Sequence, residues 1–113
     1  MSGITTHVLD TSRGRPAEGV PATLEVEAAG GWKLLGKGTT NSDGRISDLI
    51  PKETQLNAGV YRLIFDTGRY FAGQQLDAFY PQVTIVFRIE DPVQHYHVPL
   101  LLSPFGYSTY RGS

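Results

Sequence analysis

The chain has 113 residues, of which 40% are hydrophobic, a formal net charge of −1 and no cysteine. Residues 1–113 therefore make one domain, able to bury about 65% of its unfolded surface around a single core. This composition excludes intrinsic disorder, a disulfide framework, a thiolate metal site and the basic footprint of a nucleic-acid binder, and no apolar run reaches the roughly 18 residues of a membrane span.

Met1 to His7 lacks the basic and apolar segments of a secretory signal, and Arg111-Gly112-Ser113 is not a Ser-Lys-Leu address. By elimination a soluble, cytoplasmic protein is expected.

The hydrophobic pattern is mostly of period two. Ile4 to Leu9 reads as a first strand, closed by the turn-rich Asp10 to Pro16. Ala22, Leu24, Val26 and Ala28 alternate with polar residues, Glu25 and Glu27 among them, which predicts a strand with one solvated face. Gly30-Gly31 turns it into a second strand from Trp32 to Thr40, a hairpin. Asn41-Ser42-Asp43-Gly44 is a turn signal, because Asn, Asp and Gly tolerate positive φ, and Arg45 opens a short strand after it. Pro51 to Gly59 reads as loop. From Val60 to Asp66, Tyr61, Leu63 and Phe65 share a face. Thr67 to Gln75 is the one helix, capped by Asp66 or Thr67 and held to about two turns by its glycines. Val83, Ile85, Phe87 and Ile89 mark the clearest strand; His95 to Leu102 and Gly106 to Tyr110 are the last two. About eight short strands and one helix predict an all-β, antiparallel β-sandwich.

The chemistry-bearing residues are few. His95 and His97 stand two apart on a strand and project from one face, while Tyr96, Val98, Leu100 and Leu102 take the core face. Surface histidines with no role are the plain reading. A zinc pair is the other, but neither Cys nor an acidic third ligand is near. His7 shares its parity with Thr5 and Leu9. Arg45 and Arg111 are either solvated strand residues or planar forks for a carboxylate or an acidic ring. No phosphate-binding glycine loop, G-x-S-x-G elbow or H-E-x-x-H motif occurs. On residue types alone, an acid/base hydrolase using imidazole and guanidinium groups and a binding module both stand.

Longer stretches narrow this. "THVLDTSRGRPAEGVPATLEV", "TTNSDGRI" and "YRLIFDTGRYF" resemble the transthyretin-like family. The end, "HYHVPLLLSPFGYSTYRGS", resembles the 5-hydroxyisourate hydrolases, the enzymatic branch of that family, and the terminal Tyr-Arg-Gly-Ser is what separates them from the hormone carriers. The likeness runs from about Thr6 to Ser113.

The resemblance implies a transthyretin-like sandwich of two four-stranded sheets. It implies a homotetramer, a dimer of dimers with active sites in the channel at the dimer–dimer interface. It implies hydrolytic opening of 5-hydroxyisourate, a small molecule of urate degradation, with no cofactor, metal, nucleic acid or membrane involved. The family's catalytic positions fall on His7, Arg45, His97 and Ser113, and substrate contacts on His7, Arg45, Tyr110 and Arg111; His95 is matched less well. The rival functions are a transthyretin-like carrier of small ligands, which needs an apolar channel rather than His, Arg, Tyr and Ser, and a structural module docking through an edge strand. Within the hydrolase reading, Ser113 or Ser108 as a covalent nucleophile is the alternative to direct attack by water.

Overall fold

A computed structural model describes residues 3–112. Nine strands and one helix follow in chain order: β1 (Gly3–Asp10), β2 (Arg15–Pro16), β3 (Pro21–Ala28), β4 (Gly31–Thr39), β5 (Arg45–Ile46), β6 (Gly59–Phe65), α1 (Thr67–Ala72), β7 (Val83–Ile89), β8 (His95–Ser103) and β9 (Gly106–Thr109). No helix among the described residues is long and apolar enough to cross a membrane.

The strands form two sheets. One runs β4-β3-β6-β7, antiparallel throughout. The other runs β2-β1-β8-β9, with β5 also paired to β1. It thus has five strands rather than the four expected. The reason is local: β8 takes one edge of β1, and the two-residue β5 and β2 share the other, at Thr6–His7 and Leu9–Asp10 respectively. The sheet is four columns wide with one column split.

Pairing in this sandwich is antiparallel except between β1 and β8, which are parallel over Gly3–Asp10 and His95–Leu102. These strands come from opposite ends of the chain, where no tight turn dictates antiparallel pairing.

The inner faces follow the alternation. Ile4 and Val8 of β1 and Tyr96, Val98, Leu100 and Leu102 of β8 meet Ala22 and Leu24 of β3, Tyr61, Leu63 and Phe65 of β6, and Val83, Ile85 and Ile89 of β7 in one core. Burying a side chain of this kind stabilises the fold by about 1.5–3 kcal/mol. Ala28, at the far end of β3, is exposed, so the buried face of that strand ends earlier than its pattern predicts. The helix stops at Ala72, short of Gln75; Asp66 caps it, its Oδ1 accepting from the Arg69 N–H at 3.1 Å.

Candidate active site

The outer face of the five-stranded sheet collects the polar residues singled out above. In β1 the even positions Ile4, Thr6, Val8 and Asp10 are buried, so Thr5 and His7 point outward and are half-buried. The tight Asn41–Gly44 turn delivers Arg45 to them. The Asn41 side-chain oxygen accepts from the N–H groups of Asp43 (2.9 Å) and Arg45 (3.0 Å), and the Gly44 N–H donates to the Asn41 carbonyl at 2.8 Å. Gly44 has φ +77°, and a Cβ there would stand 2.3 Å from the Val8 carbonyl oxygen, so only glycine fits. Ile46 then enters the core and Arg45, one residue before, faces out directly opposite His7. Directly paired residues have Cβ atoms about 5 Å apart.

On the other side of β1, register places Thr5 beside His97, His7 beside Pro99 and Gly3 beside His95. The Thr5 hydroxyl lies 2.9 Å from His97 Nδ1 and 2.8 Å from His95 Nε2, bridging the two imidazoles. His95 is exposed and His97 half-buried. Burial holds the His97 pKa below its usual 6.5, and the charges of Arg45, His7 and His95 push it the same way. His97 is therefore neutral at pH 7, with Nδ1 held by Thr5 and Nε2 left for chemistry.

The chain's end closes the row. Past β9, the Gly112 N–H donates to the His97 carbonyl at 2.9 Å, an isolated antiparallel bridge. Gly112 stacks on the imidazole so closely that a Cβ would stand 2.6 Å from His97 Cδ2. Arg45, His7, His97 and Gly112 thus lie in one band across four neighbouring segments. Arg111 reaches elsewhere: it donates to Gln94 Oε1 at 3.0 Å and its guanidinium lies 4.6 Å from the centre of the Tyr96 ring. Tyr110 is exposed and, with His97 and Arg111, lines a cleft of about 340 Å³ against β7. Ser113 lies outside the described residues. Ser108 is exposed on β9.

Sequence reasoning brought His7, Arg45 and His97 to notice but missed Thr5 and Gly112 as partners of His97. The shared parity of Thr5 and His7 was the only signal for the first. No group of three His, Asp or Glu able to hold a metal ion occurs among the described residues.

A two-sheet β-sandwich with an imidazole and guanidinium face is the class that this fold and face define. A profile of the HIUase/Transthyretin family matches residues 4–112, and the chain belongs to that family. It is 48% identical over 110 residues, 97% of this chain and 80% of the relative, to a 5-hydroxyisourate hydrolase of Salmonella typhimurium. Among solved structures, Klebsiella pneumoniae 5-hydroxyisourate hydrolase superposes with TM-score 0.84 at 40% identity, over 97% of this chain and 98% of the other. Sea bream transthyretin in complex with thyroxine gives TM-score 0.89 at 36% identity, over 96% and 93%. Backbone shape fits carrier and hydrolase alike, so side chains must decide between them.

Proposed function

We infer that this chain is a 5-hydroxyisourate hydrolase acting in urate degradation. One observation carries the choice over a carrier: the outer sheet face holds Arg45 directly opposite His7, and His97 on the neighbouring strand two residues along, beside Thr5. A carrier of an apolar ligand has no use for two imidazoles and a guanidinium on that face.

The reaction is cleavage of the cyclic acyl–nitrogen bond of the substrate's six-membered ring, giving 2-oxo-4-hydroxy-4-carboxy-5-ureidoimidazoline. In our reading neutral His97 takes a proton from water through Nε2 as the oxygen attacks the carbonyl carbon. The Arg45 guanidinium stabilises the charge growing on the carbonyl oxygen, a contribution of about 3 kcal/mol when such a donor is well aimed. The C–N bond then breaks, the departing nitrogen takes a proton from His7, and the proton held by His97 passes back to His7, which returns both imidazoles to their starting states. Water supplies both the oxygen and the proton balance, so no cofactor is required. Ser113 and Tyr110 would contact substrate, and Arg111, held by Gln94 and Tyr96, would anchor the terminal segment that presents them.

An open sheet face leaves such charges in water, where they stabilise a transition state poorly. A homotetramer, a dimer of dimers burying this face in a central channel, would supply the enclosure. Exposed Phe105, Tyr107 and Tyr110 around the last hairpin suit such a contact.

The test is direct. Urate oxidase generates 5-hydroxyisourate, whose absorbance decay is followed with and without the protein. Accelerated decay is expected, with strong loss in His7→Ala, Arg45→Ala and His97→Ala at unchanged oligomeric state. No acceleration at micromolar protein would sink the assignment, and near-normal turnover in any one variant would remove that residue from the mechanism.

A further inference from the structure

We propose that a second site, built by the β1–β2 loop, β2 and helix α1, binds a small tetrahedral oxyanion, free phosphate or a phosphate ester. It lies in a cleft of about 600 Å³ that shares no lining residue with the histidine cluster. That volume is within the usual range for small-molecule pockets.

Three arginines line it, Arg13 from the β1–β2 loop, Arg15 from β2 and Arg69 from the helix, together with Ser42 and Gln74. All three arginines are exposed, and among the described residues none has a carboxylate within 4.0 Å. Such a concentration is unexpected in a chain whose net charge is −1.

The acidic groups nearby do not neutralise it. Glu18 lines the cleft and is exposed. Asp10 is fully buried and already engaged: Oδ1 accepts from the Ser12 N–H and hydroxyl and the Arg13 N–H, and Oδ2 accepts from the Tyr70 hydroxyl at 2.7 Å. Those bonds tie the loop to the helix and make the cleft a fixed shape. Counting Asp10 and Glu18 against three arginines leaves one positive charge in excess.

Gln74 holds one of the three arginines in place. Arg13 Nη1 donates to Gln74 Oε1 at 3.1 Å. Since guanidinium only donates, the amide orientation is settled and its NH2 points elsewhere. That Nε2 is buried beside the Tyr70 hydroxyl, out of reach of a molecule in the cleft. Three cationic forks with no carboxylate within 4.0 Å are a site short of one component, a multivalent acceptor. A tetrahedral dianion supplies several acceptor oxygens at once, which suits guanidinium forks from a loop, a strand and a helix.

Isothermal titration calorimetry at low ionic strength, with inorganic phosphate and separately glycerol 2-phosphate as probes and sodium chloride as the ionic-strength control, tests this. Saturable binding of either probe is expected, weakening about tenfold or more in Arg13→Ala and in Arg69→Ala and unchanged in Arg45→Ala. Comparison of the two probes separates free phosphate from an ester as the better ligand. Arg13, Arg15 and Arg69 are all exposed, and Arg15→Ala replaces either of the other two if it does not fold. No saturable heat with either probe, binding that survives the arginine replacements, or loss only in Arg45→Ala would overturn the proposal.

Discussion

The Thr5 hydroxyl sits between two imidazoles, 2.9 Å from His97 Nδ1 and 2.8 Å from His95 Nε2. It has one proton to donate, so it cannot serve as donor to both rings. Where it accepts from the His97 Nδ1–H, His97 Nε2 carries the lone pair a general base needs; its own proton then goes to His95. The bridge makes one histidine's tautomer depend on the other's, and links the half-buried ring to an exposed one.

Thr5 is therefore a positioning residue. Thr5→Val keeps the shape and removes the bridge, and kcat/KM for 5-hydroxyisourate should fall about tenfold, near 1.4 kcal/mol in the barrier. Thr5→Ser should restore it. The pH profile of the Val variant should also change on its acid side, which simple loss of packing would not cause. Equal rates and profiles for Thr, Val and Ser at this position would show the bridge to be idle.

A second expectation concerns pH. Burial first, then the charges of Arg45, His7 and His95, lower the His97 pKa from 6.5. Between that folded value and 6.5 the native state binds fewer protons than the unfolded chain. The associated stability is complete above about pH 6.5 and is lost as pH falls through the folded value. Activity that needs neutral His97 declines over the same acid range. Arg45→Ala removes one cause of the depression, so His97 should titrate at higher pH in that variant. Following the imidazole by NMR in both proteins reads this directly; a lower or identical titration point in the variant would contradict the electrostatic account.

Much of this arrangement can be read from the chain before any coordinates. Alternation in Ile4–Leu9, Val83–Ile89 and His95–Leu102 reports which face of each strand is buried, because side-chain direction is fixed residue by residue. The Asn41–Gly44 turn likewise announces itself, since its geometry is set by four adjacent residues. Which strands lie side by side is another matter. Thr5 meets His97 only because β1 and β8 pair in parallel with a particular register, and no local pattern encodes a partner some ninety residues away. The two-residue β2 escapes notice for the opposite reason, being too short to alternate, and the equally short β5 shows only through the turn that precedes Arg45. Gly112 is visible only as part of the family-like ending, whereas its contact with the His97 ring depends on where the last segment crosses β8.

The turn that aims Arg45 should be sensitive to a single methyl group. Gly44→Ala forces a residue with a Cβ into φ +77° and drives that atom to 2.3 Å from the Val8 carbonyl oxygen. A loss of about 2 kcal/mol or more is expected in urea unfolding, together with reduced turnover as Arg45 leaves its place opposite His7. Gly59→Ala is the matched control. A Cβ at Gly59 meets no atom within 4 Å, so that variant should stay within about 0.5 kcal/mol of the parent. Equal stability of the two variants would show that the turn relaxes without cost.

The chain's last described residue allows stability and chemistry to be separated. Gly112 contributes no side chain to the core, yet a Cβ on it would stand 2.6 Å from His97 Cδ2, 3.2 Å from Cγ and 3.3 Å from Pro99 Cγ. Pro99 is buried in β8, so the imidazole is the part that has to yield. Moving that ring disturbs the 2.9 Å contact between Nδ1 and Thr5, and with it the aim of Nε2. A displacement of about 1 Å at a reacting group can cost roughly a hundredfold in rate. Gly112→Ala should therefore lower turnover by one to two orders of magnitude, on the order of 10- to 100-fold, while thermal unfolding stays close to the parent's. Removing Gly112 and Ser113 together should again harm activity more than folding. Full turnover in Gly112→Ala would mean that the ring's present position is not the one the reaction uses.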